Sequence, residues 1–355
     1  MEKLYNKLKD NFNEFLENSE KCFQEISPYK IKEYNSLNID SGKFLHPIVM
    51  DDIKRNMKEE FNYIYKFDDV EVNLSIIYDI YDKKRNNYLL FIINLIIFIL
   101  NKFEKYPFRK LRLILIHSRL KKEKPEDHDE ELTSEHINTG LTMASDYEGE
   151  VIVYREEEMT KVLIHELIHF YNFDKKNVNS STEKSLNVYF NLMGKSITIN
   201  ESFTDTFACL LNIIIYTLLN NKKNNYRKFL QNFIKEQKFI INQSINILKY
   251  LGYKVTKNRI YNNKLINEKT HIISYYVLKA ANFNKIDIFI NYLNKYNYHL
   301  GNAEEYVELL TKNINDLISI IYENNDASVE HLNSLRMTKI DIDLLHKIKL
   351  LKAKM

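Results

Sequence analysis

The chain has 355 residues, enough for one large domain or two smaller ones, and its 45% hydrophobic and 13% aromatic content suits a protein with a sizeable core. A formal net charge of +3 is too small to point to nucleic acid or an anionic membrane as a partner. Two distant cysteines, Cys22 and Cys209, exclude a disulfide framework, and with no apolar leader after Met1 they point to a reducing, cytoplasmic setting.

Six glycines and four prolines are far below average usage, and all four prolines (Pro28, Pro47, Pro107, Pro125) fall in the first 125 residues. The remainder therefore reads as mainly helical. Residues 2–26 carry apolar positions at helical spacing, and Pro28 ends that helix. A second helix is expected from Asp51 to Tyr65. From about residue 69 the pattern changes. Val70 to Leu74 alternates apolar and polar, a strand signal, and Leu111 to Ile116 is another, with a helix over 86–103 between them. The apolar run Tyr88–Leu100 is too short to span a bilayer and suits a buried helix. An acidic stretch with His128 and His136 reads as a solvated loop. Gly140–Ala144 and Glu150–Tyr154 then form a hairpin around Asp146–Gly149, whose first strand suits a sheet edge able to pair with an extended peptide.

The second hairpin strand runs into Met159–Tyr171, which contains His165-Glu166-Leu167-Ile168-His169. On a helix, histidines four apart share one face, so both imidazoles reach a single Zn²⁺ while the intervening glutamate reaches its water. Glu156, Glu157 and Glu158 fit a first turn, where the helix dipole favours negative charge. Zinc of this kind needs a third protein ligand, with the fourth position left for water. Downstream, residues 201–220 read as a buried helix with Glu201, Asp205, Ala208 and Asn212 on one face. Carboxylates on a buried helix are costly unless paired or bound to metal. Placement near a helix start also accounts for them, and both explanations stand at this point.

His165-Glu166-Leu167-Ile168-His169 followed by Asn200-Glu201-x-x-x-Asp205 resembles the gluzincin metallopeptidases, the thermolysin-like enzymes in particular. The resemblance covers about residues 69–220 and implies a zincin-like α+β core. Regions 1–68 and 221–355 flank that core as helical extensions. It also implies that His165, His169 and Glu201 are zinc ligands, that Asp205 orients a ligand histidine, and that Glu166 is the general base. Thirty-one residues separate His169 from Glu201, more than thermolysin-like enzymes usually have, so residues 172–199 look like an insertion. Clostridial neurotoxin light chains share the His-Glu-Leu-Ile-His wording and a long gap, but not Asn-Glu-x-x-x-Asp. Gluzincins also bring a downstream Tyr or His to the oxyanion, and His271 and Tyr275 are the candidates here, with Tyr189 a weaker one.

The remaining segments, 226–250, 285–297, 303–323 and 327–352, read as amphipathic helices, with Gly252 a C-cap before a loop over 253–267. Lys339–Lys352 is basic and amphipathic, and docking on the domain is the expected role. The chain is thus expected to be a one-zinc metallopeptidase acting on a peptide or protein substrate. A zinc-binding pseudoenzyme, a non-proteolytic zinc hydrolase and a helical interaction protein are the alternatives.

Overall fold

A computed structural model describes residues 1–24, 29–33, 47–67, 69–80, 83–103, 109–126, 130–175, 180–194, 197–220, 225–323 and 333–342. The architecture is α+β and mainly helical. In chain order it begins with α1 (Glu2–Gln24), β1 (Tyr29–Glu33), α2 (Pro47–Asn56), β2 (Glu59–Phe67), β3 (Val70–Tyr78), α3 (Lys83–Phe103) and β4 (Arg109–Ile116). The short α4 (Ser134–Ile137), the hairpin β5 (Gly140–Ala144) and β6 (Glu148–Val153), and α5 (Met159–Phe170) follow. Then come α6 (Ser180–Tyr189), β7 (Leu192–Gly194), α7 (Ile199–Asn220) and α8 (Tyr226–Tyr250). The three-residue strands β8 (Lys254–Thr256), β9 (Arg259–Tyr261) and β10 (Ile266–Glu268) precede a π turn at Ile273–Leu278. The last helices are α9 (Lys279–Asn284), α10 (Ile286–Lys295) and α11 (Ala303–Glu323).

Six strands form one mixed sheet in the order β1-β2-β3-β4-β6-β5. Strands β3, β4 and β6 are parallel neighbours, while β1, β2 and β5 pair antiparallel. Parallel strands require a crossover, and α3 supplies the one between β3 and β4. Alternation along the strands divides the sheet into two faces. Leu74, Leu113 and Val151 face the main core with α3, α5 and α7, and Ile77, Ile114 and Ile152 face α2 through Val49 and Ile53. Helices α3 and α7 are each long and apolar enough to cross a membrane, yet 78% and 89% of their most apolar stretches is buried inside the fold, as in core helices. The main core runs from Leu4 on α1 to Ile342 without a break, joining all three regions drawn from the sequence.

Four sequence expectations change. The helix expected over 51–65 is α2 followed by β2, because Phe61, Tyr63, Tyr65 and Phe67 bury one strand face at a period of two. The loop expected over 253–267 contains β8, β9 and β10, of which β10 pairs in parallel with β7, and segments this short leave little alternation to read. The helix expected over 327–352 is absent from its described part, where Asn333–Ile342 is irregular apart from one bridge at Ser334 and buries Ile340 and Ile342; residues 327–332 and 343–352 lie outside the described residues, as does His128. Glu156–Glu158 do not form the first turn of α5, which begins at Met159 behind a left-handed Glu158 with φ 62°. Gly252 does close α8 as a C-cap. Its φ is 77°, and the Tyr253 N–H to Leu248 carbonyl and Gly252 N–H to Lys249 carbonyl bonds make a Schellman motif.

Left-handed backbone is costly for glutamate, and its side chain accounts for the position. The Glu158 carboxylate is fully buried and accepts from Lys122 Nζ at 2.9 Å and from the Thr338 N–H at 2.6 Å. Removing one partner of a buried pair strands the other charge. Lys122→Met is expected to lower unfolding free energy by ~3–5 kcal/mol, read from urea denaturation.

Candidate metal centre

The site lies where α5 crosses α7. Helix α5 follows β6 out of the sheet and is buried along nearly its whole length, so the face bearing His165 and His169 must meet another element. That element is α7, which presents Glu201 near its start and Asp205 one turn later. His165 Nε2 and His169 Nε2 stand 3.0 Å apart, and Glu201 Oε2 lies 3.2 Å from the first and 3.5 Å from the second.

Each histidine is fixed through its other ring nitrogen. His165 Nδ1 donates to Asp205 Oδ1 at 3.1 Å, and His169 Nδ1 donates to Asp174 Oδ2 at 2.7 Å. These bonds set the tautomer and leave both Nε2 lone pairs facing inward, the arrangement of metal-ligating histidines backed by carboxylates. Asp174 did not emerge from the sequence. It sits in the tight turn that ends α5, where Asn172 is left-handed, and an acid five residues beyond His169 was the available signal. Lys161 and Lys279 were also missed. Both are buried and ion-paired with Asp205, Lys161 on Oδ1 and Lys279 on Oδ2, the latter at 2.7 Å.

Glu166 points away from α7 toward the sheet edge. Thr142 on β5 donates its hydroxyl to Glu166 Oε2 at 2.7 Å. Gly140 on the same strand permits this approach, since a Cβ there would come within 2.9 Å of Glu166 Oε1 and of the Ile152 carbonyl. Strand β5 is the outer strand of the sheet, as expected. Between β5 and α5 lies a cavity of about 30 Å³, lined by Thr139, Gly140, Val162, His165, Glu166 and Tyr275 among others. That is room for a water-sized group.

Of the two downstream candidates, Tyr275 reaches the cluster: its hydroxyl donates to Glu201 Oε2 at 3.1 Å, and its ring centroid is 6.0 Å from that of His165. His271 precedes the helical segment with φ 56°, and its Nδ1 lies 2.9 Å from Thr198 Oγ1. The third candidate, Tyr189, packs against Phe190.

Burial works against charge throughout the cluster, yet the groups overcome it in pairs. The Asp205 and Glu201 carboxylates raise His165 above its ordinary pKa despite burial, and Asp174 and Glu201 raise His169 well above it. Against burial, the His169 and His165 imidazoles hold Glu201 well below the usual carboxylate range, and Lys161 and Lys279 do the same for Asp205. Glu166 differs: burial pushes its carboxyl up, and the histidines only partly offset this.

The donor set suits zinc. Two imine lone pairs and a carboxylate oxygen converging on one point require a proton or a cation between them. Tetrahedral zinc with bonds of about 2.0–2.1 Å separates its ligand atoms by roughly 3.3 Å, close to the separations observed here. A second group, Glu130, Glu135 and His136, also comes within ligand distance, with Glu130 exposed and His136 Nε2 3.3 Å from Glu135 Oε1.

No family model matches the chain. It is similar to the uncharacterized protein R210 of Acanthamoeba polyphaga mimivirus, 25% identical over 195 residues. That match covers 53% of this chain and 47% of the relative, about half the length of each. No solved structure matches.

One zinc per chain is expected, lost in His165→Ala and Glu201→Ala, with affinity weakened ~10–100-fold by Asp205→Ala or Asp174→Ala. The raised histidine pKa values mean that zinc must displace protons, so affinity should climb as pH rises above the ordinary histidine value. The stability of the metal-free protein runs the other way. Imidazoliums paired with carboxylates stabilise the fold at low pH, and that contribution is lost as pH passes the raised values. Chelator competition and metal-free melting, each followed as a function of pH, check both signs.

Proposed function

We propose that the protein is a zinc metallopeptidase of gluzincin type that hydrolyses peptide bonds. The observation that carries this reading is the position of Glu166. It is a buried carboxylate beside a three-donor cluster, held to the sheet edge by Thr142 and taking no part in the cluster. A purely structural zinc site has no use for such a group.

His165, His169 and Glu201 would hold the ion, with Asp205 and Asp174 orienting the imidazoles. A zinc ion there supplies Lewis acidity, lowering the pKa of water toward neutrality and polarising a carbonyl oxygen. With Oε2 taken by the Thr142 hydroxyl, Glu166 Oε1 accepts the proton of the attacking water and later delivers it to the leaving amine. Burial raises the Glu166 pKa, which makes its carboxylate a stronger base. Burial, with the Glu201 and Glu166 charges, also holds the Tyr275 phenol well above its ordinary pKa, so it stays a proton donor. Turned from Glu201 toward the reacting carbonyl, its hydroxyl would stabilise the oxyanion. The open edge of β5 offers main-chain hydrogen bonds to an extended substrate.

Glu166→Gln should keep zinc while hydrolysis of a quenched-fluorescent peptide library falls ~10²-fold or more. Tyr275→Phe should lower kcat by ~10²–10³-fold with zinc content unchanged. Activity surviving in Glu166→Gln would sink this assignment of the base, and zinc leaving with the side chain would make Glu166 structural.

A further inference from the structure

Segment Asn333–Ile342 belongs to no helix or strand; its first residues pair with Lys122–Lys124 through the Lys124 N–H to Asn333 carbonyl and Leu335 N–H to Lys122 carbonyl bonds, and buried side chains from three elements hold the rest of its backbone. Gln243 on α8 donates to the carbonyls of Ser334 and Arg336 at 3.0 and 2.8 Å. Glu158 at the start of α5 accepts from the Thr338 N–H, and Glu236 on α8 accepts from the N–H groups of Lys339 and Ile340. Asn212 on α7 donates to the Ile340 carbonyl at 2.8 Å. The segment is bound much as a peptide ligand is bound.

Its central residue meets the candidate metal site. Lys279 Nζ donates to the Met337 carbonyl at 2.7 Å and is ion-paired with Asp205 Oδ2 at the same distance. Lys161 Nζ, on the other Asp205 oxygen, touches Met337 Sδ at 3.7 Å. A buried ammonium needs its donors satisfied. Without the Met337 carbonyl, Lys279 would lose an acceptor, and the side chain that closes over Lys161 would be gone. Asp205 is clamped from both sides by lysines that residue 337 positions, and Asp205 in turn orients His165.

We propose that Asn333–Ile342 is a positioning strap for the metal site. By seating Lys279 and Lys161 on Asp205, it fixes the His165 imidazole in its zinc-binding orientation. This rests on the metal reading above and adds to it a role for residues far downstream of the motif.

The test uses the full chain and zinc alone, with affinity measured by chelator competition and the metal-free fold followed by circular dichroism. Lys279→Met cuts the link between strap and Asp205, and Gln243→Leu loosens the strap while leaving every buried charge in place. Lys279→Met is expected to weaken zinc binding ~10-fold or more, and Gln243→Leu by a smaller factor in the same direction. Phe229→Leu, a core change remote from the site, serves as the control for lost stability and should leave zinc affinity unchanged. Parental affinity in folded Lys279→Met and Gln243→Leu would overturn the proposal, as would an equal loss in Phe229→Leu. Should Lys279→Met fail to fold, Gln243→Leu decides alone. A parent chain that takes up no zinc would overturn the metal reading itself, whereas a zinc-binding parent with indifferent variants overturns only the strap.

Discussion

The structure turns on one buried carboxylate. Asp205 has no exposure to solvent, and an ion in that position is tolerated only with close, well-aligned partners. It has three, in Lys161, Lys279 and His165. Satisfying them fixes how the two central helices meet. Helix α5 offers Lys161, His165 and His169 at intervals of four, and α7 answers with Glu201 and Asp205 at the same interval. Asp205 faces the Lys161–His165 pair and Glu201 faces the His165–His169 pair. A slip of one residue along either helix would break both sets at once. The register that neutralises the core charges is therefore the register that gathers the three donor atoms.

Much of this was legible because helical spacing is local. His-Glu-x-x-His and Glu-x-x-x-Asp each lie within two turns, so the sequence alone states which residues share a face. The pairing of α5 with α7 followed from the cost of burying those faces unpartnered. Lys161 was hidden in plain view. Among apolar neighbours it reads as an exposed position, and only the discovery of Asp205 opposite makes burial tolerable. Lys279 and the strap escaped for a different reason. Their partners lie far away in sequence, and a segment held by one short backbone bridge and by side chains has no period to detect. The helix expected over 51–65 divides into α2 and β2 because Phe61, Tyr63, Tyr65 and Phe67 are buried at a period of two.

The π turn at Ile273–Leu278 serves both carboxylates of α7. Such turns insert an extra residue into a helix and occur disproportionately where side chains must be re-aimed. Tyr275 and Lys279 leave this stretch toward the same crossing point, the phenol on Glu201 and the ammonium on Asp205. Tyr276, between them, turns to the Leu335 carbonyl at 2.5 Å. Tyr275 and Tyr276 lie in this irregular turn and Lys279 opens α9 directly after it, and a regular α-helix would present the three with different angular spacing. The irregularity ends at the junction between the phenol that meets Glu201 and the lysine that meets Asp205 and the downstream segment.

The order of these parts along the chain has a consequence for how the molecule comes into being. Synthesis proceeds from the N-terminus, and the donor residues, all before position 202, leave the ribosome well before residues 333–342. Contacts this distant in sequence carry a large loop-closure cost and form late. A nascent chain can therefore build the sheet and pair α5 with α7 while Glu158, Glu236 and Lys279 still lack their backbone partners. The final set of hydrogen bonds closes over this crossing only after residues 333–342 have been made. Final ordering of this crossing is thereby tied to synthesis of the downstream segment rather than to the appearance of the His165–His169 motif.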